Sequence, residues 1–493
     1  MPKVQLLGYA PDLPATTPGV ILTCTNMVPT LRGMKGAPSV QSPSGAPSTA
    51  LAAACQGAAS LRKLDESVRL FAGTGAKLYE ASGTSWTDRT RASGGDYALG
   101  ADLRWRFAQF GDVSLAAAKS DTLQSSSSGA FANISGAPKA GVVEVVGQFV
   151  FLGDTNESTF GDSPNRWWCS AKGDHTDWTP AISTECATGT ITSTPGKIRA
   201  IKRFGPHVVI YKLRSIHMGI YAGQPSIWNF DREVSSQVGA LSHEAVVDVG
   251  TPEEPRHIFM GFDDFYEFNG GRPNPIGQGW VKETVFNELN KTYMERAMAL
   301  LDRVNSLVYF FYPTGANNNP DKCVVYNYKT QKWGRADRTI EYAFEFVSVG
   351  LTYDDLGSLY STYNDLPNVA YDSTIWTSGY PIPGIFNTSH ALQTLDGNSS
   401  TSGFVLGDMG EDEKFATITR VRPRFFTAPS SGNLINYYRN NLGDSLTTGV
   451  TTSLSNGKYD LMRSARWHRL EFSFTGNVEL GAMDVSVVED GSA

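Results

Sequence analysis

Histidine, cysteine and carboxylate are the side chains with which a protein most readily holds a metal or moves a proton, and in this sequence they are scattered. The histidines stand at His175, His207, His217, His243, His257, His390 and His468. No pair has the His-Glu-x-x-His spacing that sets two imidazoles on one helix face, and none has a cysteine beside it, so no metal site is assigned. Cys24, Cys55, Cys169, Cys186 and Cys323 are odd in number and contain no Cys-x-x-Cys pair; they read as buried free thiols, not as a disulfide framework. Neither a Gly-x-Ser-x-Gly elbow nor a Gly-x-x-x-x-Gly-Lys-Ser/Thr loop occurs, which removes the local signatures of serine-hydrolase and P-loop chemistry. For glycoside hydrolysis, which needs paired carboxylates, the doublets are Asp263–Asp264 and Asp354–Asp355. Adjacent residues on a strand point to opposite faces, so both doublets read as solvated turn carboxylates. One basic concentration stands out, formed by Arg420, Arg422, Arg424, Arg439, Arg463, Arg466 and Arg469. Its alternation with apolar residues fits a docking face for an acidic partner better than a phosphate grip, and Arg420, Arg422, Arg424, Arg466 and Arg469 are assigned to that face. No catalytic, cofactor-binding or metal-binding residue is assigned, and no enzymatic activity is expected.

The elements that carry these residues are short strands. Residues 1 to about 60 hold Pro11, Pro14, Pro18, Pro29, Pro38, Pro43 and Pro47, too dense for helix or central strand, and read as an extended arm. An arm so poor in apolar residues must lie on its own next domain or on a neighbouring subunit. From Leu70 a hairpin design recurs. Leu70-Phe71-Ala72-Gly73 leads to Leu78-Tyr79-Glu80, and Ile258-Phe259-Met260-Gly261 leads to Phe265-Tyr266-Glu267. In each, an apolar strand, a Gly-containing turn and an alternating strand follow one another. Its second half, Leu78 to Trp86, matches Val325 to Trp333 in length, Tyr position and closing Trp. The markers Trp86, Phe131, Trp178, Trp228, Pro275, Trp333 and Trp376 are separated by about 45, 47, 50, 47, 58 and 43 residues, the period of four-stranded propeller blades. An all-β chain with a β-propeller of about six or seven blades is therefore expected. The aromatics Trp86, Trp178, Trp228, Trp333 and Trp376 are read as wedges packed between blades, since each small sheet needs a neighbour to cover its second face.

The long interval holds the one good helical pattern, Lys282 to about Met294, with Val285, Phe286, Leu289 and Tyr293 on one face; it reads as a short insertion between blades. The segment Ser170 to Trp178, with Asp174 and Asp177, resembles the Asp-box turns of sialidase-type propellers, although it departs from their Ser-x-Asp-x-Gly-x-x-Trp order. After about residue 385 the module is lost, and Gly397 to Gly403 marks a linker or loop. Beyond it, strands at Phe415 to Phe426, Leu434 to Tyr438, Arg466 to Phe474 and Ala482 to Val488 suggest a small β-sandwich-like C-terminal domain. The expected organisation is thus an arm over 1–60, a propeller over 61–385 and a C-terminal β domain over 386–493.

Composition agrees with this. At 493 residues the chain exceeds a single core, and 49 glycines with 25 prolines suit many tight turns. The net charge of −7 lacks the clustered lysine and arginine of a protein that wraps nucleic acid. The amino-terminal residues have neither the basic end nor the apolar stretch of a signal peptide, and no run is long enough to span a membrane, so synthesis in a cytoplasm is expected.

The order of motifs along the chain resembles a known family. Pro18-Gly19 and Asn26-Met27-Val28-Pro29 in the arm are followed by Leu70-Phe71-Ala72-Gly73, Trp86-Thr87-Asp88, Arg104-Trp105-Arg106-Phe107 and Arg166-Trp167-Trp168-Cys169-Ser170. Then come Gly261-Phe262-Asp263-Asp264-Phe265-Tyr266, Tyr326-Asn327-Tyr328, Trp333-Gly334-Arg335 and Ser464-Ala465-Arg466-Trp467-His468-Arg469. Over most of its length the chain is similar to tail proteins of short-tailed bacteriophages, in particular the nozzle, or tail tubular, protein. The resemblance implies a non-enzymatic virion component without cofactors, assembled in the host cytoplasm as a homohexameric ring. Its partners would be the head-tail adaptor and tail fibre or tail needle proteins. Viral DNA would be retained in the ring's channel and then conducted through it without sequence-specific binding. An acidic lumen would let the duplex slide, and the arm would order across a subunit boundary. The competing reading is a carbohydrate-binding or glycan-cleaving propeller acting as a receptor-binding tail component, for which one axial pocket lined by carboxylates and arginine is expected.

Overall fold

Strand-forming residues broken by glycine turns every few positions can satisfy their backbone groups only by pairing with the next segment. The computed structural model, which describes residues 3–43, 45–347 and 381–492, is accordingly a succession of antiparallel four-strand meanders. Meander A comprises Gly57–Arg62, Val68–Gly73, Leu78–Ser82 and Ser85–Asp88. Meander B comprises Arg106–Phe110, Val113–Ala118, Asp121–Ser126 and the short Ala132–Asn133. Meander C runs through Lys139–Val146, Phe149–Glu157, Gly161–Cys169 and Ala187–Thr190, and meander D through Ala200–Phe204, His207–Tyr211, Ile216–Gly223 and Ile227–Ser235. Meander E is Val246–Asp248, His257–Met260, Phe265–Phe268 and Asn274–Pro275. Meander F is Met298–Asp302, Leu307–Tyr312, Lys322–Asn327 and Lys332–Arg335. The hairpins that open meanders C and D turn on Gly147 (φ +59°) and Gly205 (φ +59°), a backbone geometry that glycine adopts without strain.

The arrangement is propeller-like. The first strand of meander A packs against that of B, B against C, C against D, E against F, and F against Ile340–Phe346. That strand in turn packs against the first strand of A, so the series closes on itself. Meanders D and E are joined by a shared cluster that includes Phe204, Tyr211, Phe259 and Phe268. The cores lie between neighbouring sheets. Phe151 and Trp167 of C meet Ile201, Val208 and Trp228 of D, and Leu115 and Ala117 of B meet Val143, Val150 and Trp168 of C.

Meander G is assembled from distant parts of the chain. Ile340–Phe346 pairs with Ile382–Asn387, which pairs with Leu392–Gly397, and the last of these pairs with Ser39–Gln41 from the amino-terminal segment. Residue 385, near which the propeller is expected to end, lies inside the strand Ile382–Asn387 of this sheet, and the next strand after Leu392–Gly397 is Thr401–Leu406. The arm lies on its own chain. Lys3–Gln5 pairs with Ala482 to Asp484, Val20–Thr25 with Thr401–Leu406, and Met34–Gly36 with Glu479–Leu480. Met27 sits opposite Arg335, so Met27–Pro29 ties meander F to the C-terminal sheets. One of those sheets orders Thr401–Leu406, Trp467–Thr475, Ser431–Arg439 and Thr447–Ser453; the other pairs Lys414–Thr427 with both Glu479–Ser492 and Tyr459–Ala465. Their apolar faces share one continuous cluster with meanders E and F, running from Phe472 and Val485 to Phe310 and Trp333.

The expected helix is shorter than the apolar pattern suggested. It spans Lys282–Glu288, ends where Leu289 turns to ψ 126°, and is followed by a single 3-10 turn at Met294–Arg296. Its amino end is capped from the arm: the Asp12 carboxylate accepts hydrogen bonds from the amides of Glu283 (2.7 Å) and Thr284 (3.0 Å). The five cysteines are free and buried. No helix among the described residues is long and apolar enough to cross a membrane.

Two outcomes follow from this packing. Trp333, fully buried between meanders E and F, should cost about 3–5 kcal/mol when changed to alanine, read as a lowered urea midpoint. His217, His257 and His468 are buried, and burial holds each imidazole below its ordinary pKa. At pH values below about 6.5 the unfolded chain takes up protons that these folded-state histidines refuse. Stability should be full above that value and fall as the pH drops through it toward the depressed folded values. Urea midpoints at neutral pH and at about pH 5 check this, and equal midpoints would count against it.

Candidate functional site

The aromatic markers lie at the joints between sheets. Trp333 packs 4.9 Å from Phe265 of meander E, and its Nε1 donates to the Ile276 carbonyl at 3.3 Å. Trp228 of meander D sits edge-on to Phe149 and Phe151 of meander C at 5.5 and 4.9 Å. Trp178 follows meander C's third strand, is buried against Ala108 and Leu115 of meander B, and donates to the His175 carbonyl at 2.9 Å. Trp86 of meander A is half-buried 5.9 Å from Phe386 of meander G and donates to the Thr49 carbonyl at 3.1 Å. Trp376 lies outside the described residues. Each of these four Trp residues reaches the sheet that precedes its own in the ring, and none of the four is presented as an open stacking platform.

The carboxylate candidates have structural partners. Asp264 is buried, and its Oδ1 accepts hydrogen bonds from the amides of Phe265 (2.7 Å) and Gly277 (3.1 Å); burial pushes its pKa up to about 6. It is thus a turn carboxylate that is buried, not solvated, and it ties the Phe265 and Gly277 backbones together. Asp263 accepts from the Tyr266 hydroxyl at 2.9 Å. Asp354 and Asp355 lie outside the described residues. In the Ser170 to Trp178 turn, Asp174 accepts from the amide and hydroxyl of Thr176 at 2.8 and 2.6 Å, which closes the loop over the buried indole.

The arginines divide. Arg420, Arg422 and Arg424 stand exposed on one face of Lys414–Thr427, with Arg420 paired to Asp460 at 2.8 Å and Arg424 to Asp484. Arg422 stands opposite Asp484 in register. Phe426 continues this row, half exposed under the Arg32 guanidinium at 4.2 Å. Arg466 and Arg469 do not join it. Arg466 covers the Phe415 ring at 5.0 Å. Arg469 makes two 2.9 Å bonds to the fully buried Asp408 carboxylate, which Arg439 also holds at 2.6 Å. These two face their own sheet neighbours, and the exposed basic face reduces to Arg420, Arg422 and Arg424.

A second polar concentration lies where the first strands of the meanders converge, around a cavity of about 340 Å³. Its ionic residues are Arg106, Glu144, Lys202, Arg203, Glu244, Asp248, Arg303 and Glu345, with His243 beside them. Arg106 and Glu244 form a two-point pair at 2.8 and 3.0 Å. Burial alone would raise the Glu244 pKa, but the Arg106 charge and hydrogen bonds outweigh it and hold the carboxyl low. Glu144 and Glu345 are pushed up by burial, and Lys202 is pushed down by it. Sequence reading did not single out these residues. The available signal was a charged residue on the innermost strand of several modules. Among the described residues, no group of histidine, cysteine and carboxylate side chains is placed to hold a metal ion.

No known protein family and no curated protein matches the sequence. Solved structures similar to it include YCF48 bound to D1 peptide, at 11% identity and TM-score 0.33 over 61% of this chain and 86% of that one. The N-terminal domain of Nup159 is similar at 11% identity and TM-score 0.36 over 74% and 97%. An exo-β-1,3-galactanase from Phanerochaete chrysosporium with galactose gives 8% identity and TM-score 0.26 over 81% and 98%. At these scores nothing about activity, ligand or partner transfers to this chain.

Breaking the inner ion pair leaves one charge buried without its partner. Glu244→Gln should destabilise the protein by about 3 to 5 kcal/mol, measured by urea unfolding, and the double substitution Arg106→Met with Glu244→Leu should recover part of that loss.

Proposed function

We propose that this chain is a non-enzymatic structural protein of a short bacteriophage tail: a nozzle subunit that assembles into a ring, homohexameric by the resemblance, whose channel retains and then conducts viral DNA. The single observation that supports assembly is the outer face of the C-terminal sheet. There Phe426 is 51% exposed, Met462 84% and Val488 53%, beside the exposed Arg420, Arg422 and Arg424. Apolar residues grouped with a basic row on one open sheet face are the surface of a protein interface. A second copy fits as its occupant, because a chain of net charge −7 carries acidic surface elsewhere to meet the arginines.

On this reading each of meanders A to G is one blade, the upper value of the expected range, and the C-terminal sheets form the sandwich-like unit that contacts neighbouring subunits. The arm is intramolecular, so ring contacts fall to the C-terminal face. Head-tail adaptor and fibre or needle proteins would bind the ring's ends and rim, and the acidic balance would let DNA pass without being gripped.

Negative-stain images of the purified chain should show rings with an open centre. Phe426→Asp combined with Met462→Asp should shift the protein to monomers by light scattering with an unchanged far-ultraviolet spectrum. Monomers alone from the unaltered chain, or turnover of a glycan by it, would overturn the reading.

A further inference from the structure

The polar groups around the axial cavity are not all accounted for by the fold. Arg106 and Glu244 satisfy each other. Lys202, in contrast, makes no hydrogen bond or close ion pair among the described residues and feels the Glu144 and Glu244 charges only across the cavity space, and Glu144 accepts only the amide of Val145, at 3.1 Å. Glu345 meets Arg303 only loosely, at 3.9 Å. The Nδ1 atom of His243 is shielded from solvent with no partner. Burial has moved the carboxyl groups of Glu144 and Glu345 up and the Lys202 ammonium down, as expected of charges held partly out of water without full compensation. These groups face a space of about 340 Å³, near the lower end of ligand pockets at about 300–1,000 Å³.

The charge balance indicates what kind of molecule belongs there. Arg106, Lys202, Arg203 and Arg303 face Glu144, Glu244, Asp248 and Glu345, so positive and negative side chains cancel. An entering ion of either sign would lose its hydration and gain no net attraction. A hydroxyl donates to a carboxylate and accepts from an ammonium, and bonds to charged partners are the stronger kind. A molecule carrying several hydroxyls can therefore serve Glu144, Glu345 and Lys202 together without bringing a charge to be desolvated. The side chains of Phe107, Ala58 and Tyr342 supply apolar wall against which the C–H face of a ring can lie.

We propose that the axial cavity is a binding site for a neutral, hydroxyl-rich ring of monosaccharide size, held by Lys202, Glu144 and Glu345. The site is formed within one chain and does not rest on the ring-assembly reading, so either can fail without the other.

The test is saturation-transfer NMR on the full chain with glucose, galactose and N-acetylglucosamine as probes, and with glycine betaine and inorganic phosphate as charged controls. Saturation should reach the ring protons of at least one sugar and neither control. Lys202→Met and the near-isosteric Glu345→Gln should each weaken binding by about tenfold or more, with far-ultraviolet spectra and urea midpoints confirming that the variants fold. Absence of transfer to every sugar, or transfer that survives both substitutions, would overturn the proposal and leave a water-filled cavity. Preference for betaine or phosphate would overturn the neutral class.

Discussion

A small antiparallel sheet that is apolar on both faces cannot stand in water, and the architecture of this chain depends on that constraint. Leu307–Tyr312 is buried at every position, so its sheet needs a cover on each side. Meander E covers one, with its Phe265 against Phe310 and Trp333, while meander G covers the other, its Tyr342 and Phe344 sharing a cluster with Tyr309 and Phe311. Repeated around the circle, the requirement forces each sheet to become its neighbour's core. The series of innermost strands must then close, because an open end would leave one apolar face bare. Ile340–Phe346 makes that closure against Gly57–Arg62, and the outer strand of its sheet, Ser39–Gln41, is drawn from a distant part of the sequence.

Closure also explains why the polar groups lie where they do. Strands converging on an axis bring their inward side chains together from every module, and side chains that cannot pack tightly there are polar or small. Ala58, Glu144 and Lys202 show both solutions. The outer edges meet a different demand, since long strands such as Lys414–Thr427 leave alternate residues exposed.

What could be read from the sequence was local. Gly-containing turns and period-two alternation identify hairpins because both lie within a few residues, and the spacing of Trp86, Trp178, Trp228 and Trp333 follows the module length. What escaped was pairing between remote segments. Strands Ile382–Asn387 and Leu392–Gly397 carry no Trp marker, and the partner that completes their sheet lies near residue 40; nothing nearby distinguishes them from the start of another domain. Arg469 looked like its neighbours in the basic row because Asp408, its partner, is 61 residues away. The axial cavity was hidden for the same reason: Glu144, Lys202 and Glu345 are single charges on separate strands, and only ring closure brings them together.

The pairing of the first residues with the last has a consequence for synthesis. Lys3–Gln5 waits for Ala482 to Asp484, and Ser39–Gln41 for Leu392–Gly397. A nascent chain emerging from the ribosome therefore carries these strands unmatched until their partners have been made, and contacts so distant in sequence form slowly. The inner modules can fold one by one as they emerge, but the strand Lys3–Gln5 is held only once Ala482 to Asp484 are available. A copy that stops short of those segments leaves Lys3–Gln5 and Ser39–Gln41 without partners and the edges of their sheets open.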